Sequence, residues 1–181
     1  MMKDTFQKMI GATVLTVLIL ATFDQVSVSA QDKTEQDKND EQTQQDSPLR
    51  RNNARKLEGS WNHQGTRLNC QTGAILGTFP AMFTFSSGST FWETGTQISP
   101  ALRSPSHGVW YYESGRLYTT AFQFFRFNID GTLAGRQIVR QQIELSRDGN
   151  SYTATATAQV LDVNGNVIAN NCASGTGTRF E

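Results

Sequence analysis

The chain has 181 residues, with sixteen Lys and Arg against sixteen Asp and Glu, so its formal net charge is zero. That balance excludes a basic stripe for nucleic acid and an acidic tail strong enough to draw a cationic partner. Sixteen of the eighteen aromatic residues fall within 58–181, one domain by size, long enough to bury a core and too short for most two-domain enzymes.

Residues 1–30 read as a signal peptide. Lys3 and Lys8 precede an apolar run from Met9 to Phe23, and Val28-Ser29-Ala30 offers small residues where a signal peptidase cuts. The run is shorter than the ~20 residues that span a bilayer. An uncleaved anchor is the alternative. The expected mature chain begins near Gln31, is secreted or periplasmic, and has no stable membrane insertion. Residues 31–57 read as a disordered polar linker: 31–46 carry six acids, two bases and no aromatic, and Arg50, Arg51, Arg55 and Lys56 then reverse the sign. Such a stretch buries too little apolar surface to offset its conformational entropy. Its expected role is a spacer, with a docking tail as the alternative.

From 58 to 181 no long segment has a 3.6-residue apolar period. Alternating runs are punctuated by Ser87-Gly88, Ser114-Gly115, Asp130-Gly131, Asp148-Gly149 and Asn164-Gly165. These predict eight strands near 59–71, 78–86, 90–97, 107–113, 116–127, 134–146, 151–162 and 167–180. Each dipeptide, taken as a two-residue turn, fixes a register. Asp130-Gly131 sets Phe122 opposite Val139 and Tyr118 opposite Ile143. Asp148-Gly149 sets Leu145 opposite Tyr152 and Val139 opposite Ala158. Ser87-Gly88 sets Phe83 opposite Trp92, and Ser114-Gly115 sets Tyr111 opposite Tyr118 and Val109 opposite Thr120. All place mostly apolar residues on one face, an agreement that a one-residue slip would destroy. Phe125 and Phe127 fall on the other face, which suggests a bulge or an exposed patch in the fifth strand. The predicted fold is all-β: an antiparallel up-and-down barrel, which avoids open edges by closing strand 1 on strand 8.

Cys70 and Cys172, the only cysteines, form an even pair near the two ends of the folded unit. In an exported chain they predict one disulfide, on the outer face of the first and last strands. A pair of free redox thiols is the alternative.

Gly59-Ser60-Trp61 opens the first strand as the GxW signature opens a lipocalin, and Arg179 on the last strand falls beside Trp61 once the cysteines are opposed. The chain thus resembles a lipocalin-like, calycin-type barrel. The resemblance implies that Arg179 packs over Trp61 and closes the barrel floor, both as scaffold residues. The chain departs from it in having no helix after the last strand, no TDY-like segment, and its longest loop between strands 3 and 4. Avidin-type and small protease-inhibitor barrels share the strand count.

The domain has two histidines, His63 and His107, and no HxH or HExxH spacing, so no metal site is expected. No nucleophile elbow, phosphate loop or dinucleotide fingerprint appears, so neither a cofactor nor a catalytic residue is assigned. The inner face carries the functional signal. Strands 7 and 8 supply Ala154, Ala156, Ala158, Ala169, Ala173, Gly175 and Gly177; strands 2–5 supply aromatic side chains. One small wall facing one aromatic wall can leave a cavity. The expected ligand-binding residues are Phe83, Trp92, Tyr111, Tyr118, Phe122, Phe124 and Ala156 for an apolar body, Gln141 for orientation, and His107 and Arg126 at a mouth covered by the 97–106 loop. The leading expectation is a secreted, non-enzymatic barrel binding a small, largely apolar or amphipathic molecule. The second is a protein-binding or inhibitor barrel acting through its tail or rim. The third is an isomerase or cyclase on an apolar substrate.

Overall fold

A computed structural model describes residues 48–181. The expected signal peptide, and the linker up to residue 47, lie outside the described residues. Eight strands follow one helix: α1 (Pro48–Arg55), β1 (Gly59–Leu68), β2 (Ile75–Phe85), β3 (Thr90–Gly95), β4 (His107–Ser114), β5 (Leu117–Phe127), β6 (Leu133–Leu145), β7 (Ser151–Leu161) and β8 (Val167–Arg179). Each strand pairs with its sequence neighbours and β1 pairs antiparallel with β8, so the sheet is a closed barrel compatible with a calycin-like fold. Among the described residues no helix is long and apolar enough to cross a membrane.

Burial alternates along the strands, as a sheet with one inner face requires. In β6, Gln137, Val139, Gln141, Ile143 and Leu145 are buried while Arg136, Arg140, Gln142 and Glu144 are exposed. The registers of β5 to β8 match expectation: Phe122 faces Val139, Leu145 faces Tyr152, and Ala158 faces Asn171. The β5–β6 loop is one residue longer than a two-residue turn, since the Asn128 amide bonds the Thr132 carbonyl at 2.8 Å. A bulge before Gly135 absorbs the extra residue and restores the register. Gly135 has φ +131°, and a Cβ there would overlap the Leu161 carbonyl, so the bulge depends on glycine.

Two registers differ from expectation, each by one residue. At the β2–β3 turn the Ser86 amide bonds the Thr90 carbonyl at 2.9 Å, which makes a three-residue loop with Ser89 at φ 68°. No bulge compensates, so Phe83 faces Glu93 and Thr84 faces Trp92. β3 therefore turns Phe91 and Glu93 inward and Trp92 outward. At the β4–β5 turn Ser114 pairs with Leu117, with a bulge at Glu113, so Tyr112 rather than Tyr111 faces Tyr118. Trp110 and Tyr112 point inward, and His107, Val109 and Tyr111 point out.

The end of the expected linker is ordered. α1 covers the lower rim, where its Asn53 carbonyl accepts a 2.6 Å hydrogen bond from the Tyr118 hydroxyl. Leu57 is fully buried, and its carbonyl accepts from Trp61 Nε1 at 3.0 Å. The Arg179 guanidinium lies 4.3 Å from the Trp61 ring centroid and donates to the carbonyls of Lys56, Glu58 and Gly149. Arg179 over Trp61 thus closes the floor, as the resemblance implied.

Cys70 and Cys172 form the disulfide, with Cα atoms 5.2 Å apart and a sequence separation of 102. It joins the turn after β1 to β8 at the seam that closes the barrel. A loop of that length gives ~4–5 kcal/mol in the chain-entropy model, and removing native bridges costs ~2–5 kcal/mol. The Cys70→Ala/Cys172→Ala variant should therefore lose about 2–5 kcal/mol in urea unfolding followed by far-UV circular dichroism. An unchanged midpoint would show that the strand ladder alone holds the seam.

Candidate functional site

The interior divides into a packed lower half and a hollow upper half. Below, Trp61, Phe85, Phe91, Trp110, Tyr118 and Tyr152 are almost wholly buried, and their rings contact one another at centroid distances such as 4.9 Å for Phe85–Phe91 and 5.0 Å for Trp61–Tyr152. They fit because β1 and β8 are cut back to glycine where they cross. A Cβ at Gly177 would overlap the Tyr152 ring, and higher up, in the cavity wall, one at Gly65 would overlap Phe79. Aromatics from β1 to β5 and from β7 thus fill the bottom of a barrel only just wide enough for side chains.

Above this floor lies a cavity with about 60 Å³ available to the centres of water-sized molecules. One water needs roughly 10–15 Å³ by this measure, so the space holds on the order of five waters or one small ring. Phe79, Phe83, Phe122 and Phe124 form one wall. Ala154, Ala156, Ala158, Ala173 and Gly175 form the opposite one. The contrast between a small and an aromatic wall is as expected; the space is far smaller than the ~300–1,000 Å³ of a drug-sized pocket.

Two of the polar groups of the cavity, Glu93 and Arg103, were not expected from sequence. Glu93 on β3 and Arg103 in the 97–106 loop are 5% and 6% exposed at their side chains and pair through both guanidinium nitrogens, at 3.2 and 2.6 Å. The Arg103 guanidinium also lies 3.8 Å from the Phe124 centroid and donates through Nε to the Ser104 carbonyl. Buried charges persist only when paired and hydrogen-bonded in this way.

The 97–106 loop is built into the wall. β3 and β4 share only two residue pairs, Thr90–Val109 and Phe91–Gly108. Ser106 extends that ladder: its amide and hydroxyl both donate to the Glu93 carbonyl, and its Oγ accepts from the Glu93 amide at 2.7 Å. Ser104 bonds Phe125 of β5 twice: its amide donates to the Phe125 carbonyl and its Oγ accepts from the Phe125 amide, both at 3.0 Å. A short 3₁₀ turn at Pro100–Leu102 lies between these anchors and the end of β3.

On β6, Gln137 and Gln141 are 5% and 8% exposed and line the cavity. Gln141 accepts from Oγ1 of Thr120, its cross-strand partner on β5, at 3.0 Å, and its amide nitrogen opens onto the cavity. The Gln137 amide opens onto the same cavity, and among the described residues no fully buried side-chain polar atom lacks a partner. His63 on β1 stacks on Phe83 at 4.2 Å, and its Nδ1 bonds the Tyr152 hydroxyl at 2.9 Å. Burial pushes His63 down to about 4, so the ring is neutral at pH 7, and burial raises the Tyr152 hydroxyl.

Of the residues expected to bind a ligand, Phe83, Phe122, Phe124, Gln141 and Ala156 line the cavity. Tyr118 lies in the packed floor, and Arg126 is half-buried beside the loop, where it forms an isolated bridge with Arg103. Trp92, Tyr111 and His107 point outward and are exposed, because β3 and β4 present their other face to the core. Glu93 could not be placed without the correct turn length, and Arg103 lies in an aperiodic loop that offers no parity. His63 and Gln137 were legible by parity, two residues from Trp61 and from Val139. Among the described residues no group of three or more His, Cys, Asp or Glu could hold a metal. By sequence the chain matches no family model and no curated protein.

Two outcomes follow. His63 is neutral in the fold and titrates near 6.5 when unfolded, so its contribution is complete above that pH and lost as pH falls toward 4. Unfolding free energy should drop across this window with a slope approaching about 1.4 kcal/mol per unit, and His63→Gln should flatten the curve. An equal slope in both proteins would remove the assignment. Separately, Glu93→Ala strands the Arg103 charge and should cost about 3–5 kcal/mol, whereas Glu93→Leu/Arg103→Met should cost much less. Calorimetric melting of both variants is the check.

Proposed function

We propose that this chain is a non-enzymatic binding barrel, lipocalin-like in plan, that holds a small amphipathic molecule in the upper half of its interior. One observation carries the reading: a cavity walled by phenylalanines and alanines also presents the amide of Gln137. No fully buried side-chain polar atom among the described residues lacks a partner, so this amide opens onto the cavity, where a ligand or ordered water can hydrogen-bond to it. Mostly apolar walls with a few polar groups are the usual composition of a small-molecule site. The packed floor excludes a long acyl chain or a retinoid, so the ligand is about the size of one ring. The disulfide supports an oxidising, extracytoplasmic compartment.

A protein-binding role gains support from the outer face, where Met82, Trp92 and Phe180 are 64%, 41% and 58% exposed around a groove across β1 to β3. The isomerase or cyclase reading gains Glu93 and His63 on the cavity wall. Glu93, however, is held by both arms of Arg103, and His63 Nδ1 is engaged by Tyr152.

A thermal-shift panel of single-ring compounds tests the binding reading. A ligand at a hundred times its Kd should stabilise the native state by about 2.7 kcal/mol. Ala156→Leu, which fills the cavity from the small wall, should remove that shift. The reading fails if no compound shifts the melting of either protein, or if both shift alike.

A further inference from the structure

We propose that the ligand is a small monocarboxylate whose compact apolar body enters the cavity and whose carboxylate is held at the mouth by Arg67. This rests on the binding-barrel reading and names its ligand class. The first support is charge. The charged side chains on the cavity wall are Arg67, Arg103 and Glu93. His63 on the same wall is neutral at pH 7, because burial disfavours its protonation. Glu93 and Arg103 cancel through their paired hydrogen bonds, so the wall keeps one positive charge, that of Arg67. No carboxylate partners Arg67 among the described residues: its guanidinium donates to the Leu76 carbonyl at 3.3 Å, a neutral acceptor that leaves other N–H groups free.

The second support is position. Arg67 is the penultimate residue of β1, on the same inner-face parity as Trp61 and His63, yet it is exposed. It therefore joins the wet mouth to the shielded cavity, where a carboxylate remains partly hydrated while its apolar body is desolvated. Arg presents a planar fork that matches a carboxylate through two N–H donors. The third support is depth. The cavity accommodates one small ring, its flat faces toward phenylalanine on one side and alanine on the other, with the Gln137 amide available to a polar ring substituent. Charge at the rim, apolar walls and a buried amide together describe an acid with a compact body rather than a neutral hydrocarbon or a dianion.

Benzoate and benzamide share shape and differ in charge, which makes them the probes. Isothermal titration at low salt should give benzoate at least about tenfold tighter binding than benzamide. Arg67→Gln should abolish that preference while leaving benzamide within about twofold. Arg140→Gln removes the same charge from the outer face and should preserve the preference. Equal affinities for the two probes in the unaltered protein, or a preference that survives Arg67→Gln or disappears with Arg140→Gln, would overturn the carboxylate assignment and leave the binding barrel standing. Failure of both probes to bind would overturn both.

Discussion

Closure of the sheet through β1 and β8 is the constraint on which the rest depends. Once Trp61 pairs with Arg179 and Leu68 with Cys172, no edge remains, and every strand has an inside and an outside. Side-chain alternation then leaves no choice: every second residue enters a space little wider than two facing side chains. The glycines of β1 and β8 follow from this. They make room for rings arriving from across the barrel, so the aromatic floor and the glycine-rich seam are two aspects of one packing solution.

The cavity is the place where that solution stops. Toward the upper end β7 and β8 present alanine, while the facing phenylalanines are too short to reach across. A purely apolar void would lose dispersion contacts and gain nothing. Here the space is lined by amides and a paired charge, which fits a site that exchanges water for ligand. The Glu93–Arg103 pair has a structural task as well. It ties the 97–106 loop to β3 beside the place where β3 and β4 share only two residue pairs, so the weakest stretch of wall is fastened by the most shielded ion pair among the described residues.

Much of this was legible in the sequence, and the register misses arise at two turns: a longer loop at β2–β3 and a bulge at Glu113 in β4–β5. The turn dipeptides of β5 to β8 centre the hairpins correctly, because wherever a loop carries an extra residue a bulge removes it again. Asn128–Thr132 with the Gly135 bulge is one case; Asp162–Asn166 with the irregularity at Val160–Leu161 is another. The β2–β3 turn lacks such a bulge. Its third loop position, Ser89, adopts the left-handed conformation that usually advertises itself as Gly or Asn, so nothing in the residue types marked the longer loop. One uncounted residue exchanged Trp92 for Glu93 at the core and removed the acid of the buried pair from view. Arg103 could not be placed either, since an aperiodic loop has no parity to read.

The most direct test of the central claim, that the upper interior is a ligand site, is two-dimensional NMR of ¹⁵N-labelled protein titrated with benzoate. The account predicts that the side-chain amide resonances of Gln137 and Gln141 shift and saturate together with the backbone amides of Ala156 and Gly175. Shifts confined to the outer face around Met82, Trp92 and Phe180, with the Gln137 and Gln141 amides unmoved at saturation, would contradict it.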